Sequence, residues 1–166
     1  IVPPKHRQIS NGRANGVWHA DSSFKPVPAW ASMLSGRIIA RTGGNTEFAS
    51  MRAAYKDLPE HLKTAVEGRI AIHHYAYGRD KLDPNLITDV ERELLPPVRQ
   101  ALVLNRGSLG KSLYIGAHTA RIEGMAEDQG SALIEELKAF ATQRRYVYSH
   151  VWRPHDLVMW DNLAVV

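Results

Sequence analysis

The sequence predicts a mostly β domain in which helices are inserted among short strands, as in a β-sandwich or a jelly roll. Three observations favour this class. The chain has 166 residues, of which 44% are hydrophobic and 23% are charged, and this suits one globular domain with a buried core. Short strand-like runs recur between turn residues, and segments with helical spacing of apolar residues separate them. We therefore expect a single domain over residues 1–166.

The first half of the chain predicts two strands, two helices and a third strand. The helices are expected where Ser50 can act as an N-cap and where Pro59 can occupy the start of a helix. The predicted ranges are 17–24 and 37–41 for the first two strands, 50–58 and 59–67 for the helices, and 69–77 for the third strand.

The second half predicts one long helix and four more strands. Apolar residues at three- and four-residue spacing, Leu133, Ile134, Leu137 and Phe140, indicate the helix. Two glycines in residues 106–110 predict a hairpin loop between the strands on either side. The predicted ranges are 82–95 for mixed helix and loop, 98–104 and 112–115 for the hairpin strands, 127–143 for the helix, and 146–153 and 157–160 for the last strands.

Composition excludes several classes of protein. The absence of cysteine excludes disulfides, iron–sulfur clusters, thiolate zinc sites and a cysteine nucleophile. The net charge of +4 is a mild excess without a basic stripe, which argues against nucleic acid and suits a small anionic substrate. No apolar run approaches the roughly 20 residues of a membrane span. We expect a cytoplasmic protein that binds neither nucleic acid nor membrane, and the sequence leaves homo-oligomerisation open.

Residues 18–24 contain the most informative motif, because His19 and Asp21 are two positions apart. On a strand, side chains at i and i+2 point the same way, so an imidazole and a carboxylate would converge. This donor pair suits Fe(II), Mn(II) or Zn(II), and with a second histidine it makes the facial triad of non-haem iron oxygenases. Taken alone, the pair also fits a surface histidine beside a turn-forming aspartate, and short motifs have a high false-positive risk.

Two later segments add weight to the metal interpretation. Gly43-Gly44-Asn45-Thr46 follows the His-x-Asp motif, and Trp160-Asp161-Asn162 comes near the end of the sequence. In this order the three segments resemble the Fe(II)/2-oxoglutarate-dependent dioxygenases of the taurine and 2,4-dichlorophenoxyacetate dioxygenase family. The resemblance extends from about Asn15 to Val166. Residues 98–100 and 111–118 are more similar to the herbicide-degrading branch than to the taurine branch.

The resemblance implies roles for five residues. His19 and Asp21 match two iron ligands. Thr46 matches a hydroxyl that binds the distal carboxylate of 2-oxoglutarate, to which it can donate one hydrogen bond. Asn15 and His118 match positions that reach the substrate. From the residues alone, Thr46 also fits a helix or turn cap, Asn15 a turn residue, and His118 a polar residue at a loop or strand end.

The resemblance also implies parts that residues 1–166 do not contain. In the family, a third iron ligand follows Trp-Asp-Asn by a few residues and is a histidine. An arginine that binds the 2-oxoglutarate carboxylate comes later. Both are expected beyond Val166. The implied fold is a double-stranded β-helix, or jelly roll, that is incomplete at both ends within this sequence.

The implied function is an Fe(II)- and 2-oxoglutarate-dependent dioxygenase that hydroxylates a small anionic substrate with O2. The herbicide-like segments favour an aryloxyalkanoate, in which hydroxylation beside the ether oxygen leads to ether cleavage. A sulfonate such as taurine is the alternative within the family. A non-catalytic jelly-roll binding protein, a nucleic-acid binder and a zinc hydrolase stay open outside it. The last two give no role to the Gly-Gly-x-Thr and Trp-Asp-Asn segments.

Overall fold

The computed structural model describes residues 16–81 and 83–166, in which short strands alternate with helices. The strands are β1 (Ala31–Ser35), β2 (Thr46–Ala49), β3 (Ile70–His73), β4 (Val98–Ala101), β5 (Val103–Asn105), β6 (Lys111–Leu113), β7 (Thr119–Ile122), β8 (Val147–His150) and β9 (Leu157–Asp161). The α-helices are α1 (Met51–Asp57), α2 (Glu60–Val66), α3 (Tyr75–Asp80), α4 (Asp89–Leu94) and α5 (Glu127–Ala141). Single 3-10 turns cover Pro84–Leu86, Gly107–Leu109 and Arg144–Tyr146. Strands with inserted helices are therefore confirmed as the architecture.

The strands pair antiparallel in four small sheets, and within the described residues they form no closed barrel. β1 pairs with β9 and β2 with β8, so two of the sheets join opposite ends of the described chain. β3 lies between β4 and β7, and β5 and β6 form the expected hairpin. The β1–β9 pair places Ser32 of β1 opposite Trp160 of β9, and both residues take part in the hydrogen bonds around the site described below.

The predicted helices are confirmed, and they cover the core. Ser50 caps α1, since its hydroxyl accepts a hydrogen bond from the Ala53 amide at 3.2 Å. Pro59 precedes α2 as expected. α5 buries Leu133, Ile134 and Leu137 on one face, as their spacing predicted, and packs against β7 while α1 packs against β6. No helix in the two described ranges is both long enough and apolar enough to span a membrane.

The first two predicted strands are wrong. Residues 18–20 have no regular secondary structure and a turn follows at 21–24, in which Ser22 has a φ of 59° that a strand residue does not adopt. Residues 37–41 are irregular, and the strand in this region is β1, just before them. A local run of strand-like residues does not say whether a partner strand exists. β9 pairs with β1, and Ile38 in the predicted strand is 97% exposed.

Other boundaries differ by less. The strand predicted over 69–77 ends at His73, and the chain continues into α3. The strand predicted over 98–104 is interrupted at the fully buried Leu102, which divides it into β4 and β5. The strand predicted over 146–153 is shorter, because β8 stops at His150. The mixed helix and loop expected over 82–95 contains α4, whose N-terminus has a capping box made by Thr88 and Glu91.

Candidate metal centre

His19 lies in a segment without regular secondary structure, and a hydrogen bond to the backbone determines which of its ring nitrogens has the free lone pair. The Nδ1 atom is 2.8 Å from the carbonyl oxygen of Val17. A carbonyl can only accept, so Nδ1 carries the proton and donates it. In the neutral ring the lone pair is then on Nε2, the nitrogen that faces Asp21. Histidine ligands of metals are commonly oriented by such a bond to the backbone.

Asp21 begins the turn that follows, and its carboxylate faces the same imidazole. The Oδ1 atom is 3.4 Å from His19 Nε2. The Oδ2 atom accepts a 2.7 Å hydrogen bond from the hydroxyl of Ser32 on β1. The convergence predicted for this pair is confirmed in space, although a turn and not a strand produces it. Both side chains are partly exposed, at 29% and 39%, so the pair is open to solvent on one side.

Each member of the pair shifts the other's pKa. Hydrogen bonding to Asp21 raises the pKa of His19, while burial and the positive charge of Arg79 oppose that shift. Hydrogen bonding to His19, with that from Ser32, lowers the pKa of Asp21 despite partial burial. The carboxylate is thus held ionised beside a ring that attracts a positive charge. A proton or a metal cation can supply that charge.

A divalent metal fits the two donor atoms. Metal–ligand bonds to imidazole nitrogen and carboxylate oxygen are about 2 Å long, so one ion can contact two atoms 3.4 Å apart. Nitrogen with carboxylate oxygen is the donor set of non-haem iron sites. Among residues 16–81 and 83–166, no cluster of three or more histidine, aspartate or glutamate side chains is arranged to hold a metal. Within the described residues, His19 and Asp21 are therefore a pair of candidate donors and not a complete set of three.

Residues 116 and 117, just before β7, contact the backbone of Trp18 and His19. The amide of Ala117 donates a 2.9 Å hydrogen bond to the carbonyl of Trp18. A Cβ atom added to Gly116 would lie 3.1 Å from the Cα of His19, so only glycine fits this approach without displacing the neighbour. The turn after Asp21 is held by Gln100 of β4, whose side-chain amide donates to the carbonyl of Lys25 at 2.9 Å.

His118 lies beside the pair, in an aromatic environment. Its ring centroid is 6.3 Å from that of His19 and 4.8 Å from that of Phe24, and it stacks on Tyr75 at 6.4 Å. The residue is 7% exposed, and its Nδ1 atom has no hydrogen-bond partner. Burial, and then the positive charge of Arg79, lower its pKa to about 3. His118 is therefore a neutral imidazole with an unused polar atom next to the candidate metal site.

Thr46 is the first residue of β2, which pairs with β8 and is not part of the β1–β9 pair that contains Ser32. Its hydroxyl oxygen accepts a 2.9 Å hydrogen bond from the indole of Trp152, so its proton is free to be donated elsewhere. Trp152 also lines an open groove of about 510 Å³ between the end of β1 and residues 36–40. The structure thus brings His19, Asp21 and His118 together, and it connects Thr46 through Trp152 to a groove whose lining includes none of those three residues. Asn15 lies outside the described residues.

Several residues that support the site could not be given their role from the sequence. Ser32, Gly116 and Gln100 come from three separate segments. Ser32 and Gly116 contact Asp21 and His19, and Gln100 contacts the turn at Lys25, in each case only in the folded chain. The sequence identifies Trp160 and Asn162 only as parts of the Trp-Asp-Asn segment. In the structure they connect to Asp21 through Ser32.

The chain is similar to known dioxygenases over nearly its whole length. The family model described as "Taurine catabolism dioxygenase TauD, TfdA family" matches residues 2–166. An alpha-ketoglutarate-dependent 2,4-dichlorophenoxyacetate dioxygenase of Burkholderia sp. (strain RASC) is 43% identical over 161 residues, which are 96% of this chain and 54% of that protein. An (S)-phenoxypropionate/alpha-ketoglutarate-dioxygenase of Sphingobium herbicidovorans is 36% identical, over 93% of this chain and 56% of that protein.

A solved structure gives the same result. The crystal structure of AAD-2 in complex with Mn(II) and N-oxalylglycine superposes with a TM-score of 0.88 at 43% identity, over 94% of this chain and 62% of that one. The chain spans a little over half the length of the curated relatives that it matches. The family match over residues 2–166, together with these identities, establishes that the chain belongs to the TauD/TfdA family of dioxygenases.

Proposed function

We propose that this protein is an Fe(II)- and 2-oxoglutarate-dependent dioxygenase that hydroxylates a small aryloxyalkanoate. One observation carries the proposal. The Nε2 atom of His19 and the Oδ1 atom of Asp21 lie 3.4 Å apart, with the imidazole tautomer fixed so that its lone pair faces the carboxylate. This donor pair occurs in a chain that is 43% identical to a 2,4-dichlorophenoxyacetate dioxygenase.

His19 and Asp21 would hold the iron, and a histidine outside the described residues would complete the set of three. Three protein ligands leave coordination positions open for small molecules. The relative crystallised with Mn(II) and N-oxalylglycine supports this choice. Mn(II) prefers the same ligands as Fe(II), and N-oxalylglycine has an NH group where 2-oxoglutarate has a CH2 group.

The bound iron would supply the oxidising chemistry, in which O2 and 2-oxoglutarate give succinate, carbon dioxide and a hydroxylated substrate. The residues of this chain bind and orient the reactants. Thr46 would donate its free hydroxyl proton to the distal carboxylate of 2-oxoglutarate, while Trp152 holds its oxygen. An arginine outside the described residues would pair with the same carboxylate.

The substrate side of the site combines apolar and polar groups. Phe24 and Tyr75 pack around His118, and the Arg79 guanidinium lies 4.0 Å from the centre of the Tyr75 ring. An aryl ring suits these aromatic walls, and an anionic carboxylate suits the nearby positive charge. His118, and Asn15 outside the described residues, would contact the substrate. Hydroxylation next to the ether oxygen would give a hemiacetal that breaks down to a phenol and an oxo acid.

The antiparallel sheets would form part of a jelly roll that other parts of the fold complete, within one catalytic domain that includes residues 1–166. A cytoplasmic location and the absence of nucleic-acid or membrane binding stay predictions, and homo-oligomerisation stays open.

An anaerobic titration tests the metal site. The purified protein is mixed with Fe(II) and 2-oxoglutarate, and visible absorption is recorded. A broad charge-transfer band is expected, and Asp21→Ala should lose it while keeping the circular dichroism spectrum of the folded protein. A band of unchanged intensity in Asp21→Ala would contradict the ligand assignment, and no band in the unmodified protein would favour a non-catalytic jelly-roll protein.

Turnover in air tests the substrate class. 2,4-Dichlorophenoxyacetate should produce succinate and a phenol in equal amounts, whereas taurine should produce neither above the rate without substrate. Turnover of taurine alone would overturn the aryloxyalkanoate assignment and leave the dioxygenase assignment intact. Activity with zinc in the absence of O2 and 2-oxoglutarate would overturn both.

A further inference from the structure

We infer that Ser32 and Asn162 are positioning residues that fix the orientation of the Asp21 carboxylate through a one-way chain of hydrogen bonds from Trp160. The inference rests on the proposed metal site. The Trp160 indole donates to Asn162 Oδ1 at 2.8 Å, and Asn162 Nδ2 donates to Ser32 Oγ at 2.8 Å. The Ser32 hydroxyl then donates to Asp21 Oδ2 at 2.7 Å.

Chemistry at the two ends fixes the direction of every bond in this chain. An indole N–H can only donate, so the side-chain oxygen of Asn162 must face Trp160 and its NH2 group must face Ser32. The Ser32 oxygen is then occupied as an acceptor, and its single proton is directed to Asp21. An ionised carboxylate can only accept, so the chain ends there. Successive bonds in one direction polarise and strengthen one another.

The residues that carry the chain are themselves firmly held. Asn162 is 1% exposed. Its backbone amide donates a 3.0 Å hydrogen bond to the backbone carbonyl of Trp30, the residue just before β1. Asp161, the neighbour of Asn162, is bound by Arg52 at 3.0 Å and also by Arg106. Ser32 lies opposite Trp160 in the β1–β9 register. The chain therefore connects a well-anchored strand end to a side chain that sits in a partly exposed turn.

The consequence concerns which oxygen of Asp21 is available. Ser32 occupies Oδ2, so the carboxylate presents Oδ1 on the side of His19 Nε2. Without the hydroxyl, the carboxylate of a turn residue could rotate away, and metal binding would have to restore the orientation. Loss of such supporting bonds typically lowers metal affinity by roughly 10- to 100-fold.

Mn(II) binding provides the test, because it needs neither turnover nor O2. The dissociation constant is measured by electron paramagnetic resonance of free Mn(II) for the unmodified protein, Ser32→Ala, Ser32→Thr and Asp21→Ala. Ser32→Ala should bind about tenfold more weakly or worse, and Ser32→Thr, which keeps the hydroxyl, should restore binding to within about threefold. Asp21→Ala should lose specific binding.

A matched control separates positioning from general stability. The buried Ser112 hydroxyl donates a 2.7 Å hydrogen bond to the carbonyl of Leu163, in the segment that follows Asn162, and does not contact Asp21. Ser112→Ala should lower the melting temperature at least as much as Ser32→Ala and leave the Mn(II) affinity unchanged.

The outcomes are distinguishable. If Asp21→Ala abolishes Mn(II) binding but Ser32→Ala binds as tightly as the unmodified protein, the positioning role is wrong and the metal site stands. If Ser112→Ala weakens binding as much as Ser32→Ala, the effect is one of stability and the inference is overturned. If Asp21→Ala binds Mn(II) normally, or the unmodified protein does not bind it, both the metal site and the inference fall.

Discussion

The Trp152 indole donates a 2.9 Å hydrogen bond to the hydroxyl oxygen of Thr46, which joins the segment after β8 to the first residue of β2. The bond occupies the oxygen of Thr46 and leaves its proton available. The sequence allows Thr46 to be either a helix or turn cap or a cosubstrate-binding residue. A hydroxyl whose oxygen is already engaged and whose proton is free suits the second role.

Thr46→Val should therefore impair the use of 2-oxoglutarate. A hydrogen bond to a charged group contributes about 1.5 kcal/mol or more, so the apparent KM for 2-oxoglutarate should rise roughly tenfold. Steady-state kinetics with varied 2-oxoglutarate measure this change, and Thr46→Ser should behave like the unmodified protein. An unaltered KM in a folded Thr46→Val protein would rule out the cosubstrate role.

Gly116→Ala should disturb the candidate metal site without touching a metal ligand. The new Cβ would lie 3.1 Å from the Cα of His19 and 3.3 Å from the carbonyl oxygen of Trp18, and backbone atoms cannot rotate away. The His19 segment must then shift by a few tenths of an ångström. Sites of this kind need placement within about 0.5 Å, so we expect Mn(II) affinity to fall about tenfold.

Gly130→Ala is the control for that substitution. Gly130 is also buried, but a Cβ there would meet its nearest neighbour, the Ile122 amide nitrogen, at 3.6 Å, which is ordinary contact. Alanine is the better helix former by up to about 1 kcal/mol, so this variant should be at least as stable as the unmodified protein and bind Mn(II) normally. Equal losses of Mn(II) affinity in the two variants would refute the close-approach argument.

We expect the free energy of unfolding to fall in mild acid because His73 is buried in its neutral form. It is 1% exposed, and burial lowers its pKa to about 4, below the value of about 6.5 in the unfolded chain. The stability contribution is therefore complete above about pH 6.5. It is lost as the pH falls towards 4, because only the unfolded chain takes up the proton in that range. The full loss is about 3 kcal/mol.

Urea unfolding near pH 7 and near pH 5 measures this effect, which amounts to about 2 kcal/mol over that interval. In the unmodified protein the His73 ring stacks on Tyr114 with 5.3 Å between the ring centroids. His73→Phe keeps a flat ring at this position and removes the titrating group. Its free energy of unfolding should fall about 2 kcal/mol less than that of the unmodified protein between the two conditions. An identical pH dependence in both proteins would show that His73 is not the group responsible.

Arg106→Ala should destabilise the fold through Asp161. The Arg106 side chain is only 16% exposed, and its partner Asp161 also binds Arg52 and the Leu163 amide. Removing one charged hydrogen-bond donor from a half-buried carboxylate should cost about 1.5–3 kcal/mol in urea unfolding. Arg99→Ala, which removes the exposed pair with Glu123, should cost less than about 1 kcal/mol. Similar costs for the two variants would contradict this assignment.

Local features were predicted well from the sequence. The caps of α1 and α2 and the apolar face of α5 depend on residues close together in the chain, and all three are confirmed. The pairing of His19 with Asp21 is of the same kind. Two side chains separated by one residue can converge in a turn as well as in a strand. The predicted convergence of His19 and Asp21 is therefore confirmed although the strand predicted over 17–24 is wrong.

Partner choice could not be predicted in the same way. The apolar run at 38–40 is as strand-like as that of a true strand, yet β9 pairs with β1, and nothing in a local pattern identifies the partner. The same holds for the bond from Trp152 to Thr46 and for Phe48, which packs on Trp160 across two sheets at 5.1 Å. Such contacts join segments far apart in the chain.

The sequence by itself determined the donor atoms of the candidate site and the helices that cover the core, because both follow from residue types and short spacings. The tertiary structure decided how those donors are held. Ser32 reaches Asp21 only because β1 pairs with β9, and Gly116 supports His19 only because the segment before β7 folds against it. Hydrogen-bond direction and close approach depend on distances of a few ångströms between remote segments, and only the folded chain sets those distances.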